Sequence, residues 1–304
     1  MELKKLDSPV YIPTTAPVRF KETGNVTEIM YSEKHSIGGY IEKIDKDHYV
    51  DKRTGEMKEF KHIENRSQDT ANVAKSLARL RDLLNTNVVD VSRCRWLTLT
   101  YASNMTDPKK LMRDFMHFNE RCRAIFGHYE YITAAEPQGR GAWHLHVVLI
   151  FPQKAPYMEN AVVRNCWKQG FVTVRQLDSV DNVGAYLTAY LGDMELSEVV
   201  EAGIDVSCSK VKEIDCVDSY GKKQTKRYIK GARLWLYPPG FRIYRYSKGI
   251  QKPVVSRISY AEATAKVGSA ALTYSKTVLL QDEEKGFKNT MQYESYNKAR
   301  RLES

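Results

Sequence analysis

The chain has 304 residues, of which 42% are hydrophobic and 28% are charged, a balance typical of a globular protein with a sizeable core. This composition excludes a disordered, collagen-like or coiled-coil protein as a description of the whole chain. The 47 Lys and Arg residues outnumber the 37 Asp and Glu residues, and the formal charge of +10 indicates a polyanionic partner such as nucleic acid.

Targeting signals and cysteine motifs are not evident. The first fifteen residues, MELKKLDSPVYIPTT, lack the apolar segment of a secretory signal, and no stretch approaches the roughly 18 apolar residues of a membrane span. The five cysteines are odd in number and form no CxxC pair, which argues against a disulfide framework and a zinc ribbon. We therefore expect a cytoplasmic protein with reduced cysteines and no membrane partner.

Residues 1–66 are expected to form an N-terminal appendage. In the segment HYVDKRTGEMKEFKH (48–62), a turn-forming Arg-Thr-Gly lies between two alternating runs and predicts a β-hairpin. From Ser67 the pattern becomes helical, with apolar residues spaced by four, three and four. These apolar residues are Val73, Leu77, Leu80 and Leu84. The basic residues on the other faces of this helix would contact either water or a DNA backbone.

Residues 67–257 are expected to form the main domain. The alternation in WLTLTY (96–101) predicts a strand, and a helix that begins at Pro108 and is closed by Gly127 follows it. Further strands are expected at 129–135, 144–151 and 171–177, and further helices at 161–168 and 181–191. The order βαββαβα predicts an antiparallel sheet with helices on one face. We therefore expect an α+β fold with a ferredoxin-like, RRM-like core.

A candidate metal site lies on this predicted sheet. His144 and His146 flank Leu145 on one strand, so both imidazoles point to the same face. Glu136 ends the preceding strand, and the intervening turn would bring its carboxylate beside them. Two histidines and a carboxylate suit Mg²⁺ or Mn²⁺ acting as a Lewis acid on a phosphoryl oxygen. By itself, His-x-His is also compatible with two polar residues on a solvated face.

The helix expected near 181–191 offers a nucleophile. Val183, Leu187 and Leu191 form an apolar stripe, while Tyr186 and Tyr190 lie about 100° round the helix and share one flank. A tyrosine pair at this spacing can serve packing alone. Beside a metal that polarises a phosphate, it becomes a candidate for covalent catalysis.

Three segments resemble the motifs of rolling-circle replication initiators of the HUH endonuclease superfamily, in order and approximate spacing. They are WLTLTY (96–101), EPQGRGAWHLHVVL (136–149) and VGAYLTAYL (183–191). The middle motif of this family is His-hydrophobic-His, and the similarity continues through WKQGFVTVRQL (167–177) to residue 249. Three ordered motifs together are far more specific than any one of them.

The resemblance implies an enzyme that nicks single-stranded DNA at a rolling-circle origin. A tyrosine attacks the phosphodiester, which leaves a 5′-phosphotyrosine link and a 3′-hydroxyl that primes synthesis, and the strands are later rejoined. By resemblance, Glu136, His144 and His146 hold the Mg²⁺ or Mn²⁺ ion, Tyr186 attacks first and Tyr190 is the second tyrosine. Origin DNA, a host helicase and a host polymerase are the implied partners, and no P-loop is present for a fused helicase.

The tyrosine motif departs from that of the two-tyrosine members. These commonly read Tyr-x-x-Lys-Tyr-x-x-Lys, whereas this chain has Ala189 and Asp193 at the lysine positions. A lysine there would lower the tyrosine pKa or position the phosphate. Lys168 or Arg175 would have to supply this charge from elsewhere.

Residues 210–257 interleave basic and aromatic side chains, a pattern that suits phosphate contacts and base stacking. The residues expected to contact DNA are Lys168, Arg175, Lys222, Lys223, Lys226, Arg227, Arg242 and Arg245. The alternative is a set of amphipathic strands with their basic residues in water. Residues 258–304 are expected to form a mixed-charge, helical tail.

Other functions remain open at this point. A conjugative relaxase commonly has a third histidine soon after the pair, but VVLIF follows His146 here. A single-tyrosine transposase typically has a much shorter chain. A catalytically silent origin-binding regulator is suggested by the missing motif lysines, and an assay for a covalent DNA adduct would separate it from the enzyme.

Overall fold

The structure is a computed structural model and describes residues 2–34, 39–177, 184, 191–204, 211–217, 223–283 and 286–301. The chain divides into two compact units, which we call the terminal unit and the central unit. The terminal unit comprises Met1–Glu22, Val26–Glu64 and Val254–Ser304, and the central unit comprises Thr23–Asn25 and Asn65–Pro253. Among the described residues, none of the helices is both long and apolar enough to cross a membrane.

Strands make up most of the regular structure. They are β1 (Glu2–Leu6), β2 (Pro17–Thr23), β3 (Val26–Ser32), β4 (Ile41–Lys43), β5 (His48–Asp51), β6 (Glu56–Glu59), β7 (Cys94–Tyr101), β8 (Glu130–Pro137), β9 (Trp143–Ile150), β10 (Gly170–Arg175), β11 (Met194–Glu195), β12 (Val211–Val217), β13 (Lys223–Ile229), β14 (Tyr244–Tyr246), β15 (Val254–Ser259), β16 (Ala270–Asp282) and β17 (Phe287–Arg301). The described α-helices are α1 (Thr70–Asn87), α2 (Pro108–Phe126), α3 (Asn160–Trp167), α4 (Leu196–Glu201) and α5 (Tyr260–Val267).

The terminal unit contains two antiparallel sheets. The larger sheet has the strand order β1-β16-β17-β3-β2-β15, so strands from both ends of the chain alternate in it. The smaller sheet is β4-β5-β6, and β5 pairs with β6 where the sequence predicts a hairpin. The prediction of a helical segment at 258–304 was wrong, because only α5 is helical in the described part of it. Strands β16 and β17 pair along their lengths and bury Val278 and Thr277.

The central unit is built on an antiparallel sheet with the order β10-β7-β9-β8-β14. Its elements follow the predicted order from β7 to β10, and the mixture of antiparallel sheets and helices confirms an α+β protein. Helix α2 begins where the Asp107 carboxylate accepts a hydrogen bond from the Lys109 amide at 2.8 Å, and Pro108 occupies the first turn. It ends at Gly127, whose positive φ of 81° suits a residue without a side chain.

Helices cover both faces of this sheet. On one face, α2 and α3 pack on the alternate strand residues that include Leu99, Leu145 and Val147. On the opposite face, Leu80 and Leu84 of α1 pack against residues such as Val148. The expectation of helices on one face was therefore wrong. The apolar stripe of α1 needs a partner, and it buries the part of the second face that carries apolar residues.

Candidate active site

The β8–β9 ladder brings the predicted metal ligands together. Glu136 is directly opposite His144, and Ala134 is opposite His146 in the same register. Because paired residues share a face and alternate residues return to it, Glu136, His144 and His146 project from the same side of the sheet. Tyr186 and Tyr190 lie outside the described residues.

Glu136 is held by contacts to both of its carboxylate oxygens. Oε2 lies 2.5 Å from His146 Nε2, and Oε1 lies 3.0 Å from a terminal nitrogen of Arg233. Burial acts to raise the pKa of Glu136, but the hydrogen bond from His146 and the charge of Arg233 outweigh it and hold this pKa below its usual range. The carboxylate is therefore ionised and fixed in orientation.

The two imidazoles differ in their surroundings. His146 Nδ1 lies 3.3 Å from the Thr98 hydroxyl on β7. His144 Nε2 is buried and has no hydrogen-bond partner among the described residues. Burial lowers the pKa of His144 to about 4, against the opposing charge of Glu136. His144 is thus a neutral imidazole with an unused lone pair or proton on the site face, and as a neutral base it is able to bind a metal.

The present side-chain positions are close to a metal-binding arrangement without forming one. Among the described residues, no group of three or more His, Cys, Asp or Glu side chains is arranged to hold a metal ion. Two ligand atoms at about 2.1 Å from a metal and at right angles are about 3 Å apart, whereas Glu136 and His146 are in direct hydrogen-bond contact at 2.5 Å. A shift of a few tenths of an ångström would open this pair, and the unpartnered nitrogen of His144 supplies the third ligand. The residues fit a divalent cation of the Mg²⁺ or Mn²⁺ type.

Arg233 is a site residue that the sequence analysis did not identify. Its side chain is only 5% exposed. Besides Glu136, it donates hydrogen bonds to the Pro137 carbonyl at 2.7 Å, the Asp193 carbonyl at 3.0 Å and Glu198 Oε2 at 2.9 Å. It therefore links the end of β8 to the chain that follows the tyrosine motif and to α4. Its only sequence signal is its position between apolar residues in GARLWL, which does not set it apart from neighbouring basic residues.

The residues that flank the tyrosines in sequence are packed on the central unit. The Gly184 amide donates to Asn85 Oδ1 of α1 at 2.8 Å. Leu191 is buried and lines the same small cavity as His146. The Tyr237 hydroxyl donates to the Ala135 carbonyl at 2.8 Å and lies 3.4 Å from the Leu191 carbonyl. Both anchors therefore lie within the same unit as the histidines.

Asp193, one of the two departures from the lysine pattern, has a structural role. Its carboxylate accepts a hydrogen bond from the Gly231 amide at 3.2 Å, and its carbonyl accepts one from Arg233. A lysine at this position would lose the carboxylate contact. The acidic residue thus fastens the chain after the tyrosine motif to the segment that carries Arg233.

The basic residues predicted to contact DNA are distributed over several elements. Arg175 ends β10 opposite Trp96, which places it on the same sheet face as His146. Lys168 is the left-handed C-cap residue of α3. Arg242 and Arg245 lie at and before β14. The remaining predicted residues belong to the β12–β13 hairpin, where Lys223, Lys226 and Arg227 are part of β13 and Lys222 lies outside the described residues.

Phe171 is a second residue that the sequence analysis did not single out. It is opposite Thr100, which is itself opposite His144, so Phe171 shares the site face. Its side chain is 65% exposed. The strand pattern FVTV contained a usable signal, because its two valines are spaced to face the core and therefore turn Phe171 outward. An exposed ring there is suited to stack on a base.

A comparison with known families gave one match. Residues 94–195 match the model of a family of replication-associated proteins that is described by its member ORF2. The matched stretch contains Glu136, both histidines and both motif tyrosines. Comparison with curated proteins and with solved structures found no significant match. This part of the chain is thus similar to replication-associated proteins, and the similarity supports a DNA-binding protein that acts in replication.

Proposed function

We propose that the protein is a replication initiator of the HUH type that nicks single-stranded DNA at a rolling-circle origin and later rejoins strands. The observation that carries this proposal is the convergence of Glu136, His144 and His146 on one face of the sheet, inside the stretch that matches replication-associated proteins. In this interpretation the antiparallel sheet corresponds to the ferredoxin-like palm of that superfamily. The substrate is origin DNA in single-stranded form, and unwinding and synthesis are supplied by a host helicase and polymerase.

Glu136, His144 and His146 would hold Mg²⁺ or Mn²⁺. When bound, the ion supplies a Lewis acid that stabilises charge on the scissile phosphate. Arg233 holds the second oxygen of Glu136, and the Thr98 hydroxyl contacts the second nitrogen of His146. These outer contacts orient the ligands before any DNA is bound.

Tyr186 is the proposed nucleophile and Tyr190 the proposed second tyrosine. The phenolate of Tyr186 attacks phosphorus, the bond to the 3′-oxygen breaks, and that oxygen takes a proton to become the 3′-hydroxyl. Support comes from the neighbouring residues, because Leu191 lines a cavity with His146 and consecutive Cα atoms are about 3.8 Å apart. Tyr190 would hold the second strand during rejoining.

The test is a covalent-adduct assay with circular single-stranded DNA and Mn²⁺, resolved on a denaturing gel, with the adducted tyrosine identified by peptide mass spectrometry. We expect Tyr186→Phe to abolish the initial adduct and Tyr190→Phe to retain nicking but impair the second transfer. His144→Ala or His146→Ala should lower cleavage by about 10²-fold or more, which corresponds to about 3 kcal/mol of transition-state stabilisation. DNA binding by these histidine variants should largely survive.

Tyr157→Phe is the matched control, since Tyr157 is 83% exposed and lies in the chain between β9 and α3. It should form the adduct as the unmodified protein does. An adduct on the Tyr186→Phe/Tyr190→Phe double variant would contradict the tyrosine mechanism. Full cleavage by a histidine variant in EDTA would contradict the metal site, and the absence of any adduct with the unmodified protein would favour an origin-binding regulator.

A further inference from the structure

A pocket of about 480 Å³ opens at the β14 edge of the central sheet, within the range of about 300–1,000 Å³ typical of ligand sites. Its lining includes Arg66, Arg242 and Arg245 together with Tyr131, Tyr244 and Tyr246. Three arginines and three tyrosines around one concavity make it both cationic and aromatic.

The positive charge in this pocket is only partly balanced. Arg66 pairs with Asp69 at 3.2 Å, but Arg242 and Arg245 have no acidic partner within ion-pair distance among the described residues. The guanidinium of Arg245 contacts Met112 Sδ at 3.0 Å and lies over the Phe241 ring. Burial, together with the like charge of Arg242, lowers the pKa of Arg245. A bound anion would relieve this repulsion.

The aromatic part of the pocket has a stacked geometry. The rings of Tyr244 and Tyr246 are nearly parallel, at an interplanar angle of 17° and a centroid distance of 6.3 Å. Tyr246 is 40% exposed, so its ring is accessible to a ligand. Phosphate-binding arginines beside an accessible aromatic ring are the arrangement by which proteins hold unpaired nucleotides.

The pocket is also connected to the candidate active site by the sheet register. Tyr244 is opposite Ala134 on β8, and Ala134 is opposite His146 on β9. The three residues therefore form one cross-strand row on the same face, and two strand spacings, about 10 Å, separate β14 from β9. A DNA strand that lies across this face at the histidines reaches the β14 pocket with neighbouring nucleotides.

We propose that the β14 pocket binds a nucleotide of single-stranded DNA next to the cleavage site, with its phosphate on Arg242 and Arg245 and its base against Tyr246. This inference rests on the proposed function and adds a subsite to it. The base must be unpaired to reach the ring, so the pocket distinguishes single strands from duplex DNA.

The test is fluorescence anisotropy with labelled oligothymidylate, an abasic oligonucleotide of equal length and a duplex of equal length, all in EDTA to prevent cleavage. We expect Tyr246→Ala to weaken oligothymidylate binding about tenfold, Tyr246→Phe to bind normally, and the abasic and duplex probes to be insensitive to either change. Arg242→Gln should weaken oligothymidylate and abasic binding alike. It should also reduce the slope of log K against log[salt] by about 0.7.

Tyr157→Ala and Arg164→Gln are the matched controls, because both residues are exposed and lie away from β14. Oligothymidylate binding that is unchanged in Tyr246→Ala, or that falls equally in the controls, would overturn the pocket, as would a loss of abasic binding in Tyr246→Ala. Circular dichroism establishes that each variant is folded. The adduct assay is independent of these measurements. Adduct formation without pocket-dependent binding removes only the subsite, and pocket-dependent binding without an adduct removes only the nicking function.

Discussion

At the scale of single residues, Arg233 makes the contacts with the largest energetic consequence for the site. A buried guanidinium bridges Glu136 and Glu198 and also binds two backbone carbonyls. Removing one partner of a buried ion pair leaves an uncompensated charge, which costs about 3–5 kcal/mol. The network is therefore expected to be sensitive to the loss of Arg233 and far less sensitive to the loss of a surface arginine.

We predict that Arg233→Met lowers the free energy of unfolding by about 3–5 kcal/mol in urea titrations, and that Arg233→Lys recovers part of this loss. Arg164→Met is the control for removal of an exposed arginine, and it should leave stability nearly unchanged. A double-mutant cycle with Glu136→Gln isolates the pair. Additive effects in that cycle would mean that the contact between Arg233 and Glu136 carries no energy.

A second prediction at this scale concerns pH. The pKa of His144 is about 4 in the folded protein, below its ordinary value of 6.5, so the unfolded chain binds more protons between these two values. Stability should therefore decrease as the pH falls from 6.5 to 4, by at most about 3 kcal/mol at about 1.4 kcal/mol per pKa unit. Below pH 4 this cost is fully present, and above pH 6.5 it is absent.

The measurement is urea unfolding in EDTA at several pH values across this window. His144→Gln should flatten the decrease, whereas His117→Gln, at an exposed position on α2, should not. Glu136 contributes in the same direction at lower pH, because its pKa is depressed and its stabilising contacts are lost on protonation. An identical pH profile for His144→Gln and the unmodified protein would show that His144 is not desolvated.

The site residues also show what sequence can supply. His144, His146 and Glu136 were predicted to converge because strand alternation and a tight turn depend only on local sequence. Arg233 was not predicted, since its burial depends on β8, α4 and the chain after the tyrosine motif meeting in space. The sequence placed it among exposed basic residues of the same type.

At the scale of elements, Gly184 determines how the start of the tyrosine motif meets α1. A Cβ at this position would lie 2.4 Å from the Arg81 carbonyl oxygen and 2.7 Å from Asn85 Oδ1. Both neighbours are constrained, one as helix backbone and one by its hydrogen bond to Gly184. Only glycine permits this approach.

We predict that Gly184→Ala lowers the free energy of unfolding by about 1–3 kcal/mol through overpacking, and that adduct formation decreases more than DNA binding does. Gly192→Ala is the matched control, because its Cβ would meet only Leu77 Cδ1 at 4.0 Å. Urea unfolding and the adduct gel measure the two effects. Equal adduct yields from Gly184→Ala and Gly192→Ala would show that docking on α1 is not needed for cleavage.

The elements themselves were predictable where periodicity was strong and pairing was local. Helix α2 has a cap, a first-turn proline and a buried apolar stripe, and its bounds follow from these signals. The error at 258–304 has a different cause. Strand β17 pairs with β3, whose residues lie more than 250 positions earlier in the chain, and its many polar residues conceal the alternation of a strand. Sequence patterns carry little information on such long-range pairing.

At the scale of the whole molecule, the excess of basic residues can act on DNA in two ways. It attracts DNA through its general field, or specific residues displace counterions at defined phosphates. The β12–β13 hairpin is the region where the distinction is testable. Arg227 is exposed there and forms an ion pair with Glu213 at 3.0 Å, and such a surface pair is weak enough to be exchanged for a phosphate.

These two effects are separated by moving the same change of charge to another place in the chain. One variant neutralises four residues of the hairpin, which are Lys222, Lys223, Lys226 and Arg227. The control neutralises four exposed lysines of the terminal unit, which are Lys5, Lys43, Lys46 and Lys61. Both variants carry the same net charge, so a general field would weaken binding of single-stranded DNA equally in both. Specific binding would instead reduce the slope of log K against log[salt] only in the hairpin variant, by about 0.7 for each phosphate that the protein no longer neutralises. We expect the second result from anisotropy titrations at several salt concentrations. Equal slopes in the two variants would mean that the hairpin contributes charge without binding DNA directly.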